Sequence, residues 1–273
     1  MNHSLFNKKH QFFLALFVAL LTVVIALLGP LLAPHDPLEA DFLYILSPPN
    51  DVYLLGTDQV GRDILSRLLH GAAVSLGITF GMLAIIFVLG ICIGSLAGMR
   101  GGHTDTFLMR LSDALLAFPD MVFAIAVVGL LGPGIINMMI ALGIIWWTKF
   151  ARLSRVLIKS EMQSEAIIAG RMAGASNFKL FWSYLLPAVM PALLTQLSLD
   201  IGNMMLAMAG LSFLGLGIQP PTPEWGNMLS EGRTYLQSAP WLVIYPGIAI
   251  FIVVMIFNIL GDTTRKYLNP ERS

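Results

Sequence analysis

Three groups of residues carry the polar chemistry of an otherwise apolar chain. Asp200 and Asn203 fall inside a long apolar run. A carboxylate at membrane depth costs about 3 kcal/mol and faces a cavity or a partner. Three residues apart, the two side chains share one helix face. Lining of a solute path and a structural hydrogen bond between helices both fit that placement. The second group is Ser160–Ser176, SEMQSEAIIAGRMAGAS. On a helix, Ala166, Ala169, Gly170, Ala173 and Gly174 form one stripe of minimal side chains. Glycine costs about 1 kcal/mol in a helix interior, so Gly170 calls for a close approach by another backbone. Gly174 suits a helix end, and Ser176 or Asn177 suits the cap of a second short helix. The third group is the polar run from Gly56 to Arg67. None of the three is a catalytic constellation. The chain has no G-x-x-x-x-G-K-[ST] loop to cradle ATP phosphates. Its five histidines include no i, i+4 pair and its single cysteine is Cys92, so no structural metal site or resident cofactor is expected. Met204, Met205 and Met208 are soft ligands suited to Cu(I) and poor for Ni²⁺, and adaptable packing is their ordinary role.

These groups sit in a chain of 273 residues, 56% hydrophobic and 12% charged. A soluble domain carries about 25% charged residues, so the bilayer must solvate much of this one. Lys plus Arg and Asp plus Glu are 16 each, which gives no electrostatic footprint for nucleic acid. Six runs approach the span length of a membrane helix: Phe12–Ala33, Ala72–Met99, Phe107–Leu131, Ile135–Phe150, Phe181–Leu214 and Trp241–Leu260. The first is too long for a typical signal-peptide core and lacks a small-x-small cleavage site. Pro119 is expected to kink the third run, where Arg110 and Asp113 make a local ion pair. Pro187 and Pro191 mark the first turns of the fifth as a separate segment. The second run places Ala73, Gly77 and Gly81, then Gly90, Gly94 and Gly98, at one-turn spacing. That spacing serves close packing within the chain or against a partner helix.

Lys and Arg fall mainly on one side if the amino terminus is cytoplasmic, leaving only Arg62, Arg67 and Arg233 outside. Both termini are then cytoplasmic. The expected organisation is a tail (1–11), a first span (12–33), an extracytoplasmic segment (34–70), a transmembrane domain (72–265) with a cytoplasmic loop (151–180), and a second tail (266–273). The outer segment holds Asp36, Glu39, Asp41, Asp51, Asp58 and Asp63 against Arg62 and Arg67. It reads either as an acidic docking face or as a solvated loop.

Three motifs resemble a known family. Permeases of bacterial ABC importers carry a loop E-A-A, three residues, Gly, nine residues, I-x-L-P. Here Ala169, Gly174, Leu186 and Pro187 match at that spacing, while Ile168 stands in place of the glutamate and Glu165 lies one turn earlier. The run Leu55-Gly56-Thr57-Asp58-Gln59-Val60-Gly61-Arg62-Asp63-Ile64-Leu65-Ser66-Arg67 resembles the signature of the second permease in the dipeptide, oligopeptide and nickel group. Leu211–Gly217 followed by Pro220, Pro223 and Glu224-Trp225-Gly226 is similar to that group too. Leu199–Gly210 and Val254–Asp262 look most like nickel or metal-chelate permeases.

The resemblance implies an all-α integral membrane protein with six transmembrane helices and a type I ABC importer permease fold, in a bacterial inner membrane. It implies a non-catalytic subunit whose partners are a homologous second permease, two ATPases that use the ATP, and an extracytoplasmic substrate-binding protein. Glu165, Ala169, Gly170, Gly174, Leu186 and Pro187 would couple to the ATPase. Gly56, Thr57, Asp58, Gly61, Arg62 and Asp63 are the group's signature. Asp200 and Asn203 are candidates for the path of nickel or another divalent metal, free or chelated, with a dipeptide or oligopeptide as the alternative. An ion-coupled transporter would show inverted repeats, and none is visible. An intramembrane protease built on Asp113 and Asp200 finds no matching flanks.

Overall fold

The computed structural model describes residues 2–268, with side chains from residue 8 onward. Among them the regular structure is helical: α1 (Asn2–Leu32), α2 (Ile64–Arg100), α3 (Gly102–Leu116), α4 (Asp120–Leu131), α5 (Ile135–Glu161), α6 (Glu165–Met172), α7 (Asn177–Leu180), α8 (Leu186–Phe213), α9 (Trp225–Gly232) and α10 (Trp241–Leu268). Five helical stretches are long and apolar enough to cross a membrane, and α3 with α4, bent by 86° at their break, bring the number to six when the pair is counted as one span. The expected tails fall partly on Met1 and 269–273, outside the described residues. Residues 2–11 and 266–268 continue α1 and α10 as helix.

Several helices outrun the apolar runs that announce them. Asp63 caps α2 by accepting from Ser66 N, so the helix begins at Ile64, eight residues before the apolar stretch. Likewise α5 continues to Glu161, which makes 151–161 of the expected loop helical. The fifth run also departs from expectation. Its first turns are not a separate segment, because Asn177–Phe213 forms one continuous rod. Pro187 lacks the N–H that Ser183 would receive in an α-helix and would press on its carbonyl. A π-turn at Phe181–Leu185 widens the helix there and relieves that clash.

The core is built around the crossing of α2 and α5. Gly90, Gly94 and Gly98 face Phe150, Ala151, Ser154 and Ile158 of α5. This half of the small-residue pattern serves packing within the chain. Around Gly77 and Gly81 an added Cβ meets nothing within 4 Å, so the other half faces open space. Met204, Met205 and Met208 lie in the main core with Met82, Ile86, Leu142 and Phe257. Helix α1 lies along α10, with Phe12 stacked on Tyr267 at 4.8 Å.

Charges hold the bent third span. Asp105 pairs with Arg155 and with Lys159, the latter at 2.7 Å, and Asp120 with Lys149 at 2.7 Å. Asp113 pairs with Arg152 of α5 and not with Arg110 as its spacing suggested. A partner on a facing helix outcompetes an exposed i, i+3 pair, which contributes only a few tenths of a kcal/mol.

Candidate functional site

At the α9 end, the chain folds its polar run into a buried charge network. Gly56 and Gly61 have φ of +78° and +84°. A side chain at Gly56 would meet Ser47 O at 2.6 Å, and one at Gly61 would overlap Asp41 O. These two turns set Thr57 and Asp58 between them. Thr57 donates to Tyr44 O and receives Ser47 N at 2.9 Å. Asp58 Oδ1 accepts Val60 N and Arg62 N at 2.9 and 3.0 Å, while Oδ2 accepts Arg62 Nε at 2.6 Å. Across the molecule, Glu231 of α9 accepts Arg62 Nη2 at 3.0 Å, Arg67 Nη2 at 2.6 Å and Gln59 Nε2 at 3.2 Å. The side chain of Arg67 is 1% exposed and that of Arg62 7%, so each needs its carboxylate.

All six signature residues therefore serve one scaffold, and Asp58 and Asp63 are not part of a solvated acidic face. Asp63 Oδ2 caps α2 through Ser66 N and Ser66 Oγ and lies 3.4 Å from His35 Nδ1. No local pattern points directly to Glu231. The available signal was an unbalanced pair of outer arginines, which required a carboxylate from the second outer segment. That segment offers two, Glu224 and Glu231. Glu224 is occupied as the cap of α9, accepting Gly226 N and Asn227 N at 2.9 and 2.8 Å. Burial holds its carboxyl above the ordinary range, against the downward pull of those two amides.

At the opposite end, α6 and α7 form a helix–turn–helix. Gly174 has φ of +78°, Ala175 N returns to Gly170 O and Gly174 N to Arg171 O, a Schellman closure of α6. Ser176 caps α7 through Lys179 N at 3.3 Å. Gly170 is buried, and its missing Cβ admits Leu180 rather than a second backbone. Its role is internal packing of α6 on α7. Ile167, Leu180, Leu185, Val189 and Leu193 join Ile91 of α2 and Ile158 of α5 in a small core beneath. Above it, Glu165 and Ala169 are exposed, and so are four large apolar side chains: Ile168, Met172, Phe178 and Trp182. Leu186 is half-buried and Pro187 exposed at the start of α8. Exposed apolar surface of this kind marks a contact with another protein or with the membrane.

Midway along α8, Asp200 is 3% exposed, and its carboxylate accepts Gln196 Nε2 at 2.9 Å and Asn203 Nδ2 at 3.3 Å. Asn203 is exposed on the same face. The structure thus brings the pair together as a Gln–Asp–Asn cluster within one helix. The described residues hold no cluster of three or more His, Cys, Asp or Glu side chains suited to a metal.

Comparison with known proteins places these features in a family. Residues 90–273 match the family described as the inner membrane component of binding-protein-dependent transport systems. The chain is 42% identical over 258 residues to the nickel transport system permease protein of Escherichia coli (strain K12), covering 94% of this chain and 93% of that protein. It is 41% identical over 262 residues to the di/tripeptide transport system permease protein of Pseudomonas aeruginosa (strain UCBPP-PA14), covering 94% of this chain and 86% of that one. Among solved structures, a chain of the MetNI methionine ABC transporter in an inward-facing conformation superposes with a TM-score of 0.60 at 18% identity. That match covers 74% of this chain and 96% of the other and establishes the fold.

Proposed function

Because the chain belongs to the inner membrane components of binding-protein-dependent transport systems, a family of ABC importer permeases, we propose that it forms half of a solute path opened and closed through α6. The subunit is non-catalytic, and ATP is hydrolysed on a separate ATPase subunit. A second, homologous permease completes the path, and an extracytoplasmic binding protein delivers the solute. Both termini lie in the cytoplasm, on the same side as α6.

The observation that carries the reading is the exposed apolar crest of α6 and α7 over a core shared with α2, α5 and α8. A partner seated on Ile168, Met172 and Phe178 would push three spans at once. Glu165 in the first turn of α6 adds a charge favourable to the helix dipole and open to a basic partner. Ala169→Trp tests this cleanly, because the position is exposed and helical. The variant is expected to insert normally and to lower ATPase co-purification by about tenfold, the effect of losing one central contact. Uptake should fall with it. Normal co-purification would remove the docking role of α6.

For the solute, we propose a divalent transition metal, nickel-like, carried as a chelate. The support is the likeness around Leu199–Gly210 and Val254–Asp262 together with a carboxylate set at mid-span. A di- or tripeptide is the second reading, favoured by the 41% identity to a di/tripeptide permease. A peptide ammonium would find the same carboxylate. Uptake of labelled nickel, with and without chelators, and of labelled dipeptide separates the two. With Asp200→Asn, nickel uptake is expected to fall about tenfold, as follows from losing one compensating charge in a low-dielectric path. Dipeptide uptake that depends on this permease, with no metal uptake, would establish the peptide reading instead.

A further inference from the structure

We propose that Asp120 and Lys149 are positioning residues of the transport cycle, whose ion pair clamps the broken third span to α5 so that a displacement at α6 moves α3, α4 and α5 as one body. The inference rests on the docking role of α6 proposed above.

The apolar grip of the third span lies in α4 and not in α3. The buried residues of α3 are Asp105 and Ser112, and those of α4 are Ala124 and Val128. Met121, Phe123 and Val127 also pack against the main core, so α4 has an apolar seat of its own and α3 does not. Three carboxylates, Asp105, Asp113 and Asp120, tie the two halves of the span to α5. They meet Arg155 with Lys159, Arg152 and Lys149 in antiparallel order along α5. The α5 bases at 149, 152 and 155 recur every three residues and lie along one side of the helix.

Asp120 and Lys149 form the rung that matters for movement. Asp120 is the first residue of α4, directly after Pro119, where the span turns through 86°. Its partner Lys149 lies about 21 Å along the axis from Ile135, at 1.5 Å per residue, at the inner end of the apolar run Ile135–Phe150. The Lys149 ammonium also sits 4.0 Å from the ring centre of Trp146, which is itself buried. From Lys149 the helix runs without a break to Glu161, three residues before α6. Ile158 of α5 and Ile167 of α6 share one core. Displacement at α6 therefore reaches Lys149 through continuous helix, and the ion pair hands it to the break at Pro119.

The test uses the whole importer reconstituted in vesicles and reads three quantities: ATPase retained on the permease, ATP hydrolysis, and solute uptake. Lys149→Met is expected to retain the ATPase and its hydrolysis while uptake falls about tenfold, within the range by which residues along a coupling route change it. Lys149→Arg should keep most of the uptake. The reversed pair, Asp120→Lys with Lys149→Asp, should recover uptake that either single change abolishes. Normal uptake by Lys149→Met overturns the proposal. So does an assembled reversed pair that stays as inactive as the single variants. If Lys149→Met proves poorly folded, the reversed pair still decides: recovery of both assembly and uptake supports the clamp, and recovery of neither overturns it. Ala169→Trp in parallel separates this failure from that of the docking reading. ATPase retained on Ala169→Trp refutes docking at α6, whereas normal uptake in Lys149→Met with ATPase lost from Ala169→Trp refutes only the clamp.

Discussion

Glu231→Ala is expected to destabilise the protein by about 3–5 kcal/mol, the usual result of removing one partner from a buried ion pair. The carboxylate receives hydrogen bonds from Arg62, Arg67 and Gln59. Without it, two arginine side chains that are 7% and 1% exposed would have only Asp58 between them. Asp58 is already committed to Arg62 and to two backbone amides, so it cannot compensate both. The loss should appear as a fall of about 10 °C in the melting temperature of the detergent-purified permease, given a few degrees per kcal/mol at this chain length. Glu231→Gln, which keeps the shape and one acceptor, should fall between the parent and the alanine variant. A Glu231→Ala protein that melts with its parent would show that the network contributes nothing.

The second large effect is expected at Gly94. A Cβ there would overlap Ser154 Oγ and Ala151 O on α5. The serine can rotate away, but the backbone carbonyl cannot, so the two helices must separate. Separation also strips contacts at Gly90 and Gly98 and the bond from Ser154 Oγ to Gly90 O. Overpacking costs about 1–3 kcal/mol for small insertions, and a backbone clash places Gly94→Ala at or above the top of that range. Gly94→Leu should leave no folded permease. Gly77→Ala and Gly81→Ala are the controls, since both positions face open space within the chain and alanine gains up to about 1 kcal/mol of helix propensity over glycine. The comparison is made on the isolated subunit by thermal unfolding. Equal melting of the Gly94 and Gly77 alanine variants would contradict the close crossing of α2 and α5.

The contrast between these two positions shows what the sequence could and could not convey. The apolar runs located the spans because lipid imposes a minimum helix length on any crossing chain. The same runs understated α2 and α5, whose ends lie beyond lipid and are set by Asp63 and by the polar turn at Met162–Ser164. One-turn spacing of glycine announced close approach but not its partner, so Gly90 and Gly77 looked alike. In the polar run from Gly56 to Arg67 the residues were legible as a unit. Their anion was not, since Glu231 is 164 residues beyond Arg67 and no local pattern links them. Asp113 shows the opposite hazard. Arg110 stood at helical spacing, yet Arg152 on a facing helix holds it. The turn between α6 and α7 was readable, because Gly174 and Ser176 act on backbone within a few residues of themselves, whereas the partner of Gly170 was not.

The π-turn at Phe181–Leu185 has a bearing on how the two ends of the rod are aimed. Each residue of an α-helix advances the side-chain direction by about 100°, and a π-turn holds one residue more than its α counterpart. Everything before the turn is therefore out of phase with everything after it by about 100°. Phe178 on the exposed crest and Asp200 at mid-span lie on either side of that offset. Their relative bearing is a property of chain length between them, independent of what either residue is. Adding or removing a single residue within 181–199 would turn one against the other like a mis-set key, leaving both local surfaces unaltered.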